Sequence, residues 1–353
     1  MTVLTVPARP QQAASPRPVP WRRMAWVTWR QHRIALAGVA VFLGALAVCL
    51  WLAGRQLHHA YAAAIAACHP ASSLACPKMV IAFDGTNGFL ANGFILQAVP
   101  ALIGAFAGAP VLARELETGT FRYAWTQGFG RWRWALAKLV LLAAPVAAAT
   151  GVFSLLLSWY YQPYFAAGNQ TVSLTELTPF SPGLFDLRGI GFAAWTLAAF
   201  AIGALAGMGI RRVVPAIVAT LAAYVALAFA AGGWLRPAYM TPAVTSNLNV
   251  PGTAWILSQW WTKGGKFAFA GWPSQNLLNR FCPAGPPGPV GPGGKPKAVS
   301  IAGCLTSHGY TQWTSYQPAS RFWSFQWIEG GWLLALSALL IAATVWLVRR
   351  RAA

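Results

Sequence analysis

The sequence has 353 residues, of which 57% are hydrophobic and only 9% are charged, and its formal net charge is +20. A soluble chain of this length needs far more charge to cover its surface, so the composition excludes an ordinary soluble protein and predicts an all-α membrane protein. The basic residues stand in short clusters beside apolar stretches, which is typical of membrane topology signals and argues against nucleic-acid binding.

The chain begins with a polar segment that the sequence predicts to be a cytoplasmic tail. Residues 1–20 are rich in Pro, Gln and Arg, and no apolar run begins before Ile34, so a cleavable signal peptide is not expected. Trp29 and Arg33 belong to a short stretch that favours the membrane interface. Residues 1–33 are therefore predicted as tail and interfacial segment, and the first span is predicted at 34–53.

Five further apolar stretches have the length of about 20 residues that a membrane-spanning helix requires. They are predicted at 89–113, 134–160, 189–210, 213–231 and 331–348. The chain is thus divided into the tail, helices 1–5 with their loops at 34–231, a large loop at 232–328, and the last helix with a basic tail at 329–353. In the second stretch, the spacing of Gly104 and Gly108 favours close helix packing, and a merely flexible glycine-rich span is an equally good interpretation.

The distribution of Lys and Arg predicts that both termini are cytoplasmic. Four short arginine-dense segments fall on one side of the six spans: the leader, 114–133, 211–212 and 349–351. Three longer loops with sparser basic residues fall on the other side. Because short loops near span ends carry the most weight, the arginine-dense side is predicted to be the cytoplasm.

Four cysteines fall in the loops that are predicted to be external, where disulfides persist. Nearness in sequence favours two local bridges, Cys68–Cys76 and Cys282–Cys304. Free thiols remain an alternative, and so does a metal site that would use Cys68, His69 and Cys76.

The sequence contains few candidate catalytic residues. All six acids, namely Asp84, Glu115, Glu117, Glu176, Asp186 and Glu329, fall outside the predicted spans. An ion-coupled transporter usually has ionisable residues within the membrane, so a self-powered transporter is disfavoured. No G-x-x-x-x-G-K-[ST] loop occurs, so this chain is not expected to hydrolyse ATP or to hold a cofactor. A membrane enzyme that uses His58, His59 or Glu329 is an alternative, which product formation by the chain alone would favour.

The segment 114–133 between the second and third spans is the most informative part of the sequence. Gly119 is predicted to end the helix that emerges from the second span, and Thr120 to cap a short new helix that runs through Gln127. Phe121 and Trp125 share one face of that helix. Such a helix could lie on the membrane or dock into a groove of a partner.

The same segment carries a resemblance to a known family. It resembles the cytoplasmic loop of ABC-2 type transporter permeases in Arg-Glu-x-Glu-x-Gly-Thr at 114–120, in the aromatic helix, in Arg-x-x-Trp at 131–134 and in Lys138. Lys138 is expected to snorkel toward the interface. The order of six spans and the segments 29–33 and 318–329 are similar to a bacterial subfamily of these permeases. The Gly/Pro-rich stretch at 285–296 departs from the pattern and is predicted to be an extended linker.

This resemblance implies the membrane-spanning half of an exporter in the bacterial plasma membrane. Such a chain pairs with a second permease copy or a related chain and with ABC ATPase subunits that hold ATP and Mg, and it works by alternating access. The implied coupling residues are Arg114, Glu115, Glu117, Gly119, Thr120, Phe121, Arg122, Trp125, Gln127 and Arg131. A solvated, interfacial helix end is the alternative for these charges. A non-transporting membrane scaffold or immunity protein is the alternative for the whole chain, which an adjacent ATPase gene would argue against.

Overall fold

Six long helices form the framework of the protein. The computed structural model describes residues 20–67, 93–120, 130–168, 178–247, 250, 253–282 and 301–351. Within these ranges, six helices are long and apolar enough to cross a membrane. They are α1 Trp21–Ala67, α2 Phe94–Thr118, α3 Arg131–Gly168, α4 Gly191–Ile210, α5 Val213–Ala230 and α6 Phe322–Arg351. The predicted six spans are thereby confirmed, and the chain is a multi-pass membrane protein.

Helix α1 is one continuous helix of 47 residues, so it extends on both sides of the span predicted at 34–53. No proline interrupts it, and its last part is rich in alanine, the best helix former. His58 lies on this extension, where its ring stacks on Trp159 of α3 at 4.6 Å. The Nε2 atom of His58 is 3.0 Å from the backbone carbonyl oxygen of Trp159. His58 is therefore a packing residue between two helices.

The other helices also run past the apolar stretches that predicted them. Helix α2 continues to Thr118, and α6 begins at Phe322 instead of residue 331. Glu115 and Glu117 therefore lie on α2, and Glu329 lies inside α6. Three of the six acids thus lie on the long helices, beyond the apolar stretches from which the spans were predicted.

Helices α2 and α4 pack so closely that glycine is required between them. A Cβ atom added to Gly104 would lie 2.3 Å from the Cβ of Ala199, and one added to Gly108 would lie 2.3 Å from the carbonyl oxygen of Phe200. On α4, a Cβ added to Gly207 would lie 2.4 Å from a backbone oxygen of α2. These distances are shorter than real Cβ atoms allow, so the close-packing interpretation of the two α2 glycines is confirmed and the flexible one is not.

The remaining helices surround this pair. In the most apolar window of α2 and of α4, 61% of the residues are buried, against 11% for α1 and 17% for α5. Because α1 and α5 expose most of their apolar residues, they form the lipid-facing periphery of the described chain.

The segment between α5 and α6 is not a plain loop, which corrects the all-α prediction. It contains a four-stranded antiparallel sheet in the order β1-β4-β2-β3. The strands are β1 Ala243–Thr245, β2 Trp255–Lys263, β3 Lys266–Ala270 and β4 Tyr310–Gln317. Strands β2 and β4 are rich in Trp, Tyr and Thr, which prefer extended backbone, and Gly264 and Gly265 supply the positive φ angles of the hairpin turn.

Two short helices, Gln275–Phe281 and Ile301–Ser307, cover one face of this sheet. Leu305 is fully buried there against Trp261 and Tyr310. A disulfide joins Cys282 and Cys304, one of the two pairs that the sequence favoured. Cys68, Cys76 and the Gly/Pro-rich stretch lie outside the described residues.

Gly108→Ala should destabilise the helix bundle, because its methyl group would press on backbone that cannot move aside. Overpacking of this kind costs about 1–3 kcal/mol. The matched control is Gly151→Ala on α3, where an added Cβ meets nothing within 4 Å. The midpoint of thermal unfolding in detergent should fall for Gly108→Ala and stay unchanged or rise for the control. Equal midpoints for the two variants would contradict the packing described here.

Candidate functional site

The end of α2 carries the first half of the predicted coupling segment. Gly119, with φ of 74°, ends the helix in the left-handed conformation, as the sequence predicted. Thr118 donates a hydrogen bond to the carbonyl oxygen of Arg114 at 2.9 Å, and its hydroxyl lies 3.0 Å from that of Thr120. Arg114, Thr120 and Arg131 are exposed. The predicted short helix with Phe121, Arg122, Trp125 and Gln127 lies outside the described residues.

Glu115 contacts a helix of its own chain. Its carboxylate forms an ion pair with the ammonium group of Lys138 on α3, and the Lys138 side chain is only 3% exposed. The same ammonium lies 4.7 Å from the ring centroid of Trp134. Lys138 is thus buried between α2 and α3, which corrects the expectation that it snorkels to the interface, and Glu115 neutralises it.

Glu117 is also engaged within the chain. Its Oε2 accepts a hydrogen bond from the backbone N–H of Val213 at 3.1 Å, at the first residue of α5. A carboxylate is favourable there because the N-terminus of a helix carries a partial positive charge. Together, Glu115 and Glu117 connect the end of α2 to α3 and to the start of α5.

A second set of charges lies at the opposite end of the bundle, where α5 ends and α6 begins. Arg236, in the helical extension after α5, is 2% exposed, and Glu329, in the second turn of α6, is 1% exposed. The Arg236 guanidinium donates to both oxygens of Glu329, at 2.7 and 3.0 Å, and also forms an ion pair with Asp186. We call Asp186, Arg236 and Glu329 the buried ionic cluster.

Aromatic side chains complete the hydrogen bonding of the buried ionic cluster. The indole N–H of Trp195 on α4 lies 3.1 Å from Asp186 Oδ1 and 3.1 Å from Glu329 Oε1. The Tyr239 hydroxyl donates to Glu329 Oε2 at 3.1 Å and accepts from the Trp332 indole at 2.8 Å. Both oxygens of Glu329 are therefore hydrogen-bonded, which buried charges require.

The buried ionic cluster holds two carboxyls against one guanidinium. Burial raises the pKa of the Asp186 carboxyl above its ordinary value; the positive charge of Arg236 opposes this shift, and the neighbouring carboxylate of Glu329 adds to it. With two carboxyls and one guanidinium, the cluster is neutral when one carboxyl is protonated. It is thus an acid pair that one arginine holds together away from water.

The buried ionic cluster joins three helices and the segment before α4. Gln326 strengthens the same contact, since its side chain donates to the carbonyl oxygen of Phe185 at 2.8 Å and accepts from the N–H of Gly191 at 2.9 Å. In the described residues, no group of three or more His, Cys, Asp or Glu could hold a metal ion. The contacts of the cluster hold the helix ends together.

Sequence reasoning missed this cluster. Glu329 was placed just before the last span, and Arg236 and Asp186 were placed in loops. The available signal was an arginine that closely follows one apolar stretch and an acid that closely precedes another, which is the arrangement of a buried ion pair between helix ends.

Arg236→Met should destabilise the protein strongly, because it leaves two buried carboxyls without their counter-charge. Removal of one partner from a buried ion pair costs about 3–5 kcal/mol. Arg280→Met is the matched control, since Arg280 is exposed in the segment between α5 and α6. The thermal midpoint in detergent should fall well below that of the control. A midpoint for Arg236→Met that equals the control would show that the cluster contributes little.

Comparison with known proteins gives one match. The model of the family described as ABC-2 membrane transporter related matches residues 40–236, more than half of the chain. The matched range includes most of α1, all of α2 to α5, the described coupling residues and Arg236. No curated protein and no solved structure matches the chain significantly.

Proposed function

The chain belongs to the ABC-2 membrane transporter related family, and we propose that it is the membrane-spanning subunit of an exporter that separate ABC ATPase subunits drive. The observation that carries this proposal is the connected end of α2. There, one surface-exposed segment is fixed to α3 through Glu115 and to the start of α5 through Glu117. ATP and Mg would be bound by the ATPases, since this sequence has no phosphate-binding loop of the G-x-x-x-x-G-K-[ST] kind.

The proposed coupling starts from a push of the ATPase on residues 114–133. The ion pair of Glu115 with Lys138 carries the displacement to α3, and the contact of Glu117 with Val213 carries it to α5. The close packing of α2 with α4 makes those two helices move as one body. The ATPases bias the membrane part only by the difference in their interaction energy with its two states.

The proposed orientation places the coupling end and both termini in the cytoplasm of a bacterium. The arginine-dense segments support it through the positive-inside rule. The disulfide between Cys282 and Cys304 supports it independently, because disulfides persist outside the reducing cytoplasm. The sheet between α5 and α6 and the buried ionic cluster then lie toward the external side.

The proposed assembly contains a second permease, either another copy or a related chain. The wide apolar surface of α5 leaves room for such a contact within the bilayer. In alternating access, the buried ionic cluster would keep the external ends of α4, α5 and α6 together while the cytoplasmic side is open.

Trp125→Ala tests the ATPase coupling, because this ring is the largest apolar side chain on the face that Phe121 and Trp125 share in the predicted coupling helix. Loss of an aromatic anchor from an interface costs about 2 kcal/mol, roughly a thirtyfold loss of affinity. The matched control is Trp272→Ala, which removes a ring that is 74% exposed between α5 and α6. The affinity for the co-expressed ATPase and the stimulation of its hydrolysis should fall for Trp125→Ala only.

Wild-type affinity and stimulation in Trp125→Ala would refute the coupling proposal. Glu115→Ala is a poor test by comparison, because it leaves Lys138 buried and unpaired, so that a loss of ATPase binding could reflect a damaged fold.

A further inference from the structure

Two apolar grooves flank the first half of α1. One is a cavity of about 370 Å³ between α1 and α2, and the other is a cavity of about 650 Å³ between α1 and α3. Leu36 and Val39 line both of them, so the grooves run side by side along the same turns of α1. Small residues such as Ala37 and Ala149 keep the second groove open.

The polar residues of the two grooves lie at one end. Arg33 and Trp29 line the second groove, and His32 lines the first, whereas every other lining residue is apolar. From Arg33 to Ala40, the apolar part of the second groove extends along about two turns of helix, roughly 10 Å. The polar residues of both grooves thus lie at the same end, with the cation Arg33 at the second groove, and both grooves continue as apolar channels.

Among the residues that the structure describes, Arg33 forms no ion pair. Three ion pairs occur among the described residues, and they are those of Lys138 with Glu115 and of Arg236 with Asp186 and Glu329. Arg33 takes part in none of them, and it is exposed. Its guanidinium is therefore available to bind an anion beside the second groove.

We propose that an anionic, two-chain phospholipid binds here, with its phosphate at Arg33 and its acyl chains in the two grooves. The chemistry fits at both ends, because the guanidinium attracts a phosphate and the lined channels accept hydrocarbon. Only 11% of the most apolar window of α1 is buried, so bilayer lipid reaches both of its sides. Basic pockets between membrane helices hold anionic headgroups in the same way. This site does not depend on the exporter proposal.

The test uses the full chain, purified and equilibrated with vesicles of equal phosphatidylglycerol and phosphatidylcholine, followed by quantification of the lipid that co-purifies. The wild type should retain phosphatidylglycerol in preference to phosphatidylcholine. Arg33→Gln should reduce that preference about fivefold, as expected for one basic residue at a membrane surface. Arg55→Gln is the matched control; Arg55 lies further along the same helix, over the ring of Trp51 at 5.2 Å. Its preference should equal that of the wild type.

Ala40→Trp supplies the independent arm, because it fills the second groove without changing any charge. It should lower the amount of both retained lipids and leave the thermal midpoint and the size of the particle unchanged. An unaltered preference in Arg33→Gln, or an equal loss in Arg55→Gln, would overturn the proposal. A change of particle size with Ala40→Trp would overturn it too, since a second copy of the chain would then occupy the groove.

Discussion

A charge that leaves water for the interior of a membrane protein must bring its counter-charge with it, and this constraint organises both ends of the helix bundle. At one end, Glu115 neutralises Lys138 and thereby fixes α2 to α3. At the other, Arg236 holds Glu329 and Asp186 and thereby fixes the end of α5 to α6 and to the segment before α4. Between them, the packing of α2 on α4 depends on glycine and carries no charge at all.

Helix α5 is held at both ends of the bundle. The backbone N–H of its first residue donates a hydrogen bond to Glu117, and its helical extension carries Arg236. In the proposed exporter, a displacement at the coupling end therefore reaches the buried ionic cluster along α5, while α2 and α4 move together. Breaking buried ion pairs is costly, so each end resists separation of the helices that its ion pairs join.

The number of helices followed from the sequence because each apolar run is long enough to span a bilayer by itself. The stop at Gly119 followed from local sequence, whereas the sequence left two interpretations of Gly108 equally good until the packing of α2 on α4 decided between them. The buried ionic cluster could not be predicted in this way. Arg236 lies 93 positions from Glu329 and 50 from Asp186, and hydropathy carries no information on pairing between such distant residues. The helix ends were also missed, because α1, α2 and α6 continue as helices beyond the apolar runs that marked them.

The sheet between α5 and α6 escaped prediction for a related reason. Its strands pair residues far apart in sequence, such as Trp260 with Trp313, so only the aromatic and β-branched composition of each strand was visible locally. A glycine- and proline-rich stretch separates the two halves, which favoured an irregular loop.

The most direct test of the central claim is site-specific photo-cross-linking in membranes of cells that express the chain with its ATPase. A cross-linking amino acid at Thr120 probes the end of α2, and one at Thr306 probes the segment between α5 and α6; both residues are exposed. The account predicts an adduct with a nucleotide-binding subunit from Thr120 and none from Thr306. An ATPase adduct from Thr306, or none from Thr120, would contradict it.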